Sequence, residues 1–490
     1  MQQISVPPIE PLALAQQPLT QVDRQRKHDM QEAWKAYRGQ FPKSLKVEEG
    51  KPDDNVIANF MVSIVDKGAS WLFGQPVKIE TTGESSSPSS VIQEYVNGLW
   101  GDDDDATSLL FDAATNGGTC GQVFLKLIPA QGQMKYPRIV VMDPQLIRVV
   151  TAPDDVSLVL AYIIEYPGTG STQKRQVITR IDPDASAGIV GEYDLNDTWT
   201  ISNYFRMSDH AAWFLFGAVE VWPYPFPPIF SCKNLPNPNE NWGTPDLTPD
   251  LIDQNKTLNF LLSNLARIVK FHGHPKTWIK GVGRNQVSMG VDEMVILDSP
   301  DASMGVITPM ENFAGILSVI ATIMSNIDQQ SRVPAVALGR QETLPKLGNI
   351  SGVALALMFQ PLIEKTTQKR RLYGKMIREI TRAALIMAGL IDVSDFEDYQ
   401  IDLHWQPLLP ADNLTAAQEA VILQSIGVSQ STIFAGLGLN ADDEADKKQS
   451  EDARSLTNFS RGQGMPPPAV PLTPVESPVQ PVAQPVGAPA

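Results

Sequence analysis

Apolar residues recur every three or four positions in several stretches of the chain, which is the spacing of one buried helix face. This pattern predicts helices over 25–37, 55–72, 91–99, 106–115, 248–271, 311–330 and 351–388. Three residues favour a helix N-terminus at 248–250. Thr248 can act as the N-cap, Pro249 suits the first helical position, and Asp250 complements the helix dipole in the first turn. We expect the last helix to break near Pro361.

Strands are predicted where apolar and polar residues alternate in short runs bounded by turn residues. They cover 77–81, 122–128, 138–142, 158–166, 176–181, 198–206 and 399–405. We expect Gly117, Gly118 and Gly121 to end the helix that precedes the second strand, and the proline-rich stretch 223–249 to be irregular. Helices first and then a run of strands predict an α+β fold.

A second feature of the pattern is the order helix, small domain, helix, loop, long helix between residues 248 and 388. The small domain at 272–310 combines short strands and turns, and the loop at 332–350 is punctuated by glycine and proline. An antiparallel helical hairpin in a monomer has the same pattern. The pattern alone therefore does not establish a function for these helices.

The two ends of the chain differ from its centre. Residues 1–22 hold four prolines among glutamines and small apolar residues, which predicts an extended arm, mobile or laid over a neighbour. From Met465 onward there are nine prolines in 26 residues and no aromatic, which predicts a disordered or polyproline tail. We expect no signal peptide and no membrane insertion, because the apolar runs are far shorter than the ~20 residues of a membrane span.

Length, charge and cysteine content narrow the function class. The 490 residues exceed the roughly 250–300 that one core supports, so we expect two or more modules. The 39 basic and 55 acidic residues give −16, which argues against a protein that coats nucleic acid but not against one that lets it slide past. Cys120 and Cys232 exclude a disulfide scaffold and are expected to be reduced core thiols in a cytoplasmic protein.

Candidate catalytic and metal sites are weak. Asp102–Asp105 precede a predicted helix, where acids complement the dipole, and a calcium loop needs alternating carboxylates around a glycine turn. His272 and His274 lack a third ligand at suitable spacing. No phosphate loop, nucleophile elbow or dinucleotide motif is present. We therefore expect no enzyme, cofactor or metal, and the alternative is a metal-dependent hydrolase that uses Asp102–Asp105 or His272 and His274.

A series of short segments, in order, resembles the portal proteins of tailed bacteriophages with long non-contractile tails. The segments are 36–42 (AYRGQFP), 55–79, 113–127 (AATNGGTCGQVFLKL), 143–144 (DP), 243–255 (GTPDLTPDLIDQN) and 351–355 (SGVAL). Each motif is short, and their common order and spacing over residues 34–390 carry the resemblance. The N-terminal arm, a β insertion around 150–225 and the tail depart from it.

The resemblance implies a portal fold that is assembled as a ring, with an α/β wing, long stem helices, a small α/β clip and a helical crown. Carried onto this sequence, it divides the chain as follows: arm 1–22, wing 23–245, stem 246–271, clip 272–310, stem 311–331, tunnel loop 332–350, kinked helix and second wing part 351–410, crown 411–462 and tail 463–490.

The resemblance also implies roles for charged and polar residues in three regions. In the tunnel loop, the residues expected to contact DNA phosphates are Arg332, Arg340, Gln341, Lys346 and Asn349. In the clip, the residues expected to contact DNA or an adaptor are Lys276, Lys280 and Arg284. On one face of the long helix, the residues expected to form intersubunit salt bridges with acidic wing residues are Arg371, Lys375, Arg378 and Arg382. In each region, ordinary solvated charges are the alternative.

The implied function is a non-enzymatic ring channel at one capsid vertex, through which DNA is packaged, retained and ejected. The implied partners are further copies of the chain, commonly twelve, double-stranded DNA without sequence specificity, the large terminase, a head–tail adaptor, and the major capsid and scaffolding proteins. The implied location is the virion, with the host cytoplasm during assembly. A non-portal minor capsid or head–tail structural protein remains the alternative.

Overall fold

The structure of the 490-residue chain is a computed structural model that divides into two units, Met1–Leu409 and Pro410–Ala490. It describes residues 11–47, 49, 53–83, 87–101, 103–132, 134–152, 155–166, 172–181, 198–208, 211–273, 277–280, 301, 303–306, 313–340, 352–396, 398–408 and 423–424. The predicted crown and tail lie almost wholly outside these residues, and the fold below is that of the first unit.

Eight helices are described. They are α1 (Pro11–Gln16), α2 (Gln21–Tyr37), α3 (Phe60–Phe73), α4 (Ser89–Trp100), α5 (Asp103–Cys120), α6 (Pro249–Gly273), α7 (Phe313–Ser331) and α8 (Gly352–Met387). The predicted start of α6 at Thr248–Pro249 and the predicted end of α2 before Gly39 are confirmed. Gly39 has a φ of 71°, the left-handed backbone that ends a helix.

Thirteen strands form the described sheets. They are β1 (Lys78–Thr81), β2 (Gln122–Ile128), β3 (Arg138–Met142), β4 (Ile147–Thr151), β5 (Val159–Tyr166), β6 (Gln173–Ile181), β7 (Thr198–Arg206), β8 (Phe214–Leu215), β9 (Glu220–Trp222), β10 (Ile229–Lys233), β11 (Thr277–Lys280), β12 (Ser303–Val306) and β13 (Ile401–His404). One sheet has the order β4-β5-β6-β7-β8 with β9 also on β7, a second has the order β10-β2-β3, and β1–β13 and β11–β12 form two-stranded ribbons.

The mixture of helices and strands agrees with the predicted α+β class. The sequence pattern missed β4, β8, β9 and β10, of which β8 and β9 have only two and three residues, and β10 directly follows two prolines in the stretch predicted to be irregular. Prolines are tolerated there because β10 is at the edge of its sheet, where Pro228 supplies only its carbonyl, to the N–H of Leu127.

The main core lies between α8 and the layer formed by α3, α4, α5 and the β10-β2-β3 sheet. α8 contributes a continuous buried stripe to this core: Tyr373, Met376, Ile377, Ile380, Ala383 and Ala384. A second cluster joins α2 and α3 to α6, α7 and the first part of α8. Both long helices of the predicted stem therefore share a core with α2 and α3.

The N-terminal arm differs from its prediction, because residues 11–16 form a helix that packs on the large sheet of the same subunit. Ala15 is fully buried, in a cluster with Ile163 and Val177 of that sheet. The Ala15 carbonyl accepts a hydrogen bond from Arg175, whose guanidinium lies 4.2 Å from the Trp213 ring centre. Local proline content favoured an extended chain, whereas burial of a small apolar face stabilises the helix.

Residues 54–59 form an extended strap along α6, although the sequence predicted a helix from residue 55. Three buried side chains of α6, four residues apart, bind the backbone of the strap: Asn255, Asn259 and Ser263. The N–H of Val56 donates to Ser263 Oγ at 2.9 Å, and the N–H of Ala58 donates to Asn259 Oδ1 at 2.9 Å. Four residues of helix span about 6 Å and two residues of extended chain about 6.6 Å, so the two repeats match.

Helix α3 begins only where this ladder ends. The N–H of Phe60 donates to Asn255 Oδ1 at 3.2 Å, while Asn59 caps the first turn by accepting from Met61 at 3.0 Å. The apolar spacing over 55–72 predicted the helix face correctly but could not reveal that another helix takes the backbone groups of its first residues.

Two interruptions of helices, in α5 and in α8, were predicted wrongly. Gly117 and Gly118 lie inside α5, and it is Gly121, with a φ of 83°, that follows the helix end. Pro361 lies within α8, which continues through it. The carbonyl that loses its donor there belongs to Leu357, a residue 68% exposed, so this position faces solvent and the helix tolerates the proline.

Candidate functional site around the paired helices

Helices α6 and α7 form an antiparallel pair. Gln254, near the start of α6, donates to Gln330, near the end of α7, at 2.7 Å. Apolar side chains three or four residues apart close the seam between them: Leu258, Leu261, Leu265, Ile316, Ile320, Ile323 and Ile327. With 25 and 19 residues, the helices are about 37 and 28 Å long.

A buried ion triad lies where α6 begins, α7 ends and α8 passes. The Asp246 carboxylate, just before α6, receives Lys369 Nζ at 2.6 Å and Lys365 Nζ at 3.0 Å. Lys365 Nζ also donates to the carbonyl of Ser331, the last residue of α7, at 2.8 Å. One side chain of α8 therefore holds the ends of both paired helices.

The triad carries two cations and one anion without contact with bulk water, since all three side chains are at most 3% exposed. Burial alone would raise the pKa of Asp246, but the two lysines outweigh it and lower that pKa to about 2. Burial lowers the pKa of Lys369 to about 8, although Asp246 opposes this. The carboxylate is therefore the charge that makes burial of the lysines tolerable.

Hydrogen bonds connect the triad to Asn234, which follows β10, and to helix α5. Asn234 Nδ2 donates to Asp246 Oδ1 at 3.1 Å, and the Tyr373 hydroxyl donates to Asn234 Oδ1 at 3.1 Å. The backbone N–H of Asp246 donates to the Gly118 carbonyl at 2.7 Å. A Cβ on Gly118 would lie 3.1 Å from Asp246 Oδ2, and one on Gly117 only 2.0 Å from the Tyr373 hydroxyl. The two glycines therefore allow this close approach.

Sequence reasoning missed the triad. A signal was present. Lys365, Lys369 and Tyr373 are spaced by four and share the helix stripe of Leu362 and Met376, which are apolar core residues. Lysines within an apolar stripe indicate burial and therefore an acidic partner.

The predicted tunnel loop is described as far as Arg340. Arg332 directly follows α7, has a φ of 55° and is exposed, whereas the next residue, Val333, is fully buried. Arg340 turns back to the helix pair, because its guanidinium binds the Asp328 carboxylate and lies 5.3 Å from the Phe60 ring centre. The remaining predicted loop residues lie outside the described part: Gln341, Lys346 and Asn349.

Of the predicted clip residues, only Lys280 is described, and Lys276 and Arg284 are not. Lys280 is exposed at the end of β11, opposite Ser303 of β12.

The four predicted intersubunit residues of α8 differ in their exposure and in their contacts within the subunit. Arg371 is exposed, and Lys375 is 74% exposed with Glu379 of its own helix at 3.7 Å. Arg378 is half-buried, and Arg382 Nε donates to the Tyr399 carbonyl of the same subunit at 2.7 Å. Burial raises the pKa of Glu379 even though Lys375, Arg382 and Arg378 oppose it. Arg371 and Lys375 are thus the most accessible of the four.

Within the described ranges, no group of three or more His, Cys, Asp or Glu side chains is placed to hold a metal ion. Cys120 and Cys232 are buried free thiols, and burial raises both pKa values. None of the described helices is long and apolar enough to cross a membrane.

Comparison with known families adds to this geometry. A family model described as phage portal protein, SPP1 Gp6-like, matches residues 200–457, which is more than half of the chain. The chain belongs to this family of phage portal proteins. The family is structural rather than enzymatic, and it implies a homo-oligomeric ring at the capsid vertex of the virion. No curated protein matches the sequence.

The match covers the part of this portal protein that holds the helix pair, the loop after it and the long helix α8. The motifs at 36–42, 55–79, 113–127 and 143–144, which also carry the resemblance, lie outside the match. The resemblance to a portal protein is therefore confirmed through the helix pair and α8, and the earlier wing motifs stay a prediction.

Proposed function

We propose that the chain forms a ring, of twelve subunits as the resemblance implies, through which double-stranded DNA is packaged, retained and ejected. The observation that carries this proposal is the family match over α6, α7, the following loop and α8. In the same proposal the ring binds the large terminase and later a head–tail adaptor through the clip at 272–310, and the capsid and scaffolding proteins through the wing.

The exposed surface of the helix pair supports side-by-side packing of copies. Large apolar side chains on it are about half exposed in the single subunit: Phe260, Val269, Leu317 and Val319. On α7, no residue from Phe313 to Ile327 is charged. An uncharged, partly apolar helix face has little cost of burial against a neighbour.

In the described part of the loop, the contacts of Arg332 and Arg340 differ, which supports different roles for the two residues. Arg340 is ion-paired to Asp328 within the subunit, so its charge is partly neutralised and its geometry is fixed. Arg332 is exposed, at a left-handed turn next to a buried anchor. We propose that Arg332 and Lys346 contact phosphates weakly, while Arg340 holds the loop against the helix pair.

Electron microscopy of the purified protein tests the ring. We expect rings with an axial hole, and a strictly monomeric species at micromolar concentration in varied salt would contradict the proposal. Replacing Arg332 and Lys346 with alanine should leave the rings intact and impair DNA packaging or retention. Arg340→Ala is the comparison, and it should also loosen the loop, measured as faster hydrogen exchange at 333–340.

A further inference from the structure

A groove of about 840 Å³ runs between the edge of β1 and helix α4, away from the helix pair. Residues 77–82 form one wall, and α4 from Ser89 to Trp100 forms the other. The floor is apolar and buried, with Val96, Trp100 and Leu110. In the described chain β1 pairs only with β13, so its second edge faces this groove.

The amide of Gln93 occupies that edge in the way a strand residue would. Gln93 Oε1 accepts from the N–H of Thr81 at 2.9 Å, and Gln93 Nε2 donates to the carbonyl of Ile79 at 2.8 Å. One residue of a parallel neighbouring strand makes these same two bonds, on either side of Glu80. A side-chain amide on α4 therefore imitates one peptide group of a third, parallel strand.

More of the edge is available than Gln93 covers. Backbone groups alternate along a strand, so the N–H and carbonyl of both Ile79 and Thr81 point to the same edge. Gln93 takes one group of each residue, and the Ile79 N–H and the Thr81 carbonyl have no partner within the described residues. An added strand would satisfy these two groups as well.

The charge at one end of the groove indicates what kind of segment it accepts. Gly101 and Ala106 line the groove and flank the start of α5. Between them, Asp104 and Asp105 are exposed, and neither has an ion pair with any described residue. A segment that passes this end gains from a basic side chain.

We propose that the groove binds an extended segment of a different polypeptide as a third strand, parallel to β1. Its backbone replaces the Gln93 amide, its alternate apolar side chains lie on the floor, and a basic residue faces Asp104 and Asp105. Addition of a strand to an open sheet edge is a common mode of peptide recognition. No residue of α6, α7 or the loop after them lines the groove, and the inference does not depend on the proposed channel function.

The probe is a fluorescein-labelled peptide of seven residues, with arginine at both ends and valine alternating with threonine between them. We expect saturable binding to the assembled protein by fluorescence anisotropy, and slower hydrogen exchange in residues 77–83. The same peptide with proline at its central position should bind at least about fivefold more weakly, because it cannot donate to the Ile79 carbonyl.

Variants of the groove separate specific from adventitious binding. Gln93→Ser removes the competing amide and should tighten binding about fivefold. Asn97→Trp, at an exposed position of the rim, should block binding, and Asp104→Lys with Asp105→Lys should weaken it while favouring a glutamate-ended probe. Glu94→Lys makes the same kind of charge change on an α4 residue that does not line the groove, and should have no effect.

Three results would overturn the proposal. Equal binding of the proline-containing probe would mean that backbone pairing plays no part, and that Gln93 merely protects a sheet edge. Unchanged affinity in Asn97→Trp would locate the binding elsewhere. Binding to isolated subunits but not to rings would mean that a second copy of this chain covers the groove.

Discussion

At the scale of single residues, Asp246 is central to the contact of the portal subunit's helices α6, α7 and α8. It neutralises two buried lysines, and through Lys365 it is connected to the last carbonyl of α7. Removing one partner of a buried ion pair leaves an uncompensated charge, which costs about 3–5 kcal/mol. Here the loss would leave two lysines.

Asp246→Asn should therefore lower the free energy of unfolding by about 3–5 kcal/mol at pH 7. The pKa of Asp246 is about 2 in the folded state against 3.8 ordinarily, so the unfolded chain binds more protons between these values. The stabilisation is complete above about pH 4 and is lost as the pH falls through 2. Urea unfolding at pH 7 and at pH 3 should show the wild-type advantage shrinking at the lower pH.

Asp398→Asn is the matched control for this change, because Asp398 is exposed and has no ion pair with a described residue. It should alter stability by less than about 0.5 kcal/mol. A loss of similar size in both variants would mean that net charge, rather than the triad, is responsible.

At the scale of elements, the strap at 54–59 shows how a helix can stabilise a segment without regular structure. Buried amide and hydroxyl side chains of α6 take its backbone groups, and at its start Asp54 binds Lys270 at 2.8 Å. These contacts, from Asn255 to Lys270, hold α6 against the segment that leads into α3.

Asn255→Ala should lower the free energy of unfolding by about 1–3 kcal/mol, because the partly buried N–H of Phe60 and the carbonyl of Ala58 both lose their partner, the buried Asn255 side chain. Urea denaturation measures the loss, and faster hydrogen exchange should be confined to 54–62. Thr257→Ala is the control on the same helix, since its exposed hydroxyl bonds only the Asp253 carbonyl one turn away. Equal losses in the two variants would refute a special role for the ladder.

At the scale of the whole molecule, the portal family implies a ring, and single subunits must therefore present two complementary faces. The exposed basic residues of α8 are candidates for one of them. Arg382 is already bound to the Tyr399 carbonyl, so the interface role predicted for four residues now rests mainly on Arg371 and Lys375.

Arg371→Glu should reduce the fraction of rings at low salt, because the new glutamate would repel the predicted acidic partner on the next subunit. Sedimentation velocity measures the ring fraction, and subunit stability by urea unfolding should change by less than about 0.5 kcal/mol. Lys46→Glu, an equal charge change at another exposed site, should leave the rings unaffected. Rings that persist in Arg371→Glu would exclude this residue from the interface.

Local patterns predicted the helix pair, α8 and most of the longer strands, because apolar periodicity, helix caps and turn residues act within a few positions. The start of α6 at Thr248–Pro249 is an example. The same rules failed at residues 55–59, at Gly117 and at Pro361, where the outcome depends on a distant partner or on exposure to solvent.

By itself, the sequence determined the α+β class, the two paired helices with the long helix after them, and the resemblance to portal proteins that the family match confirms. Only the tertiary structure decided which charges are buried and paired. Asp246 and Lys369 are 123 residues apart, and Gln93 meets the β1 edge through a helix. A local stripe of residues can indicate that Lys365 and Lys369 are buried, but pairing is a contact between distant segments, so no local pattern can specify which residue is the partner.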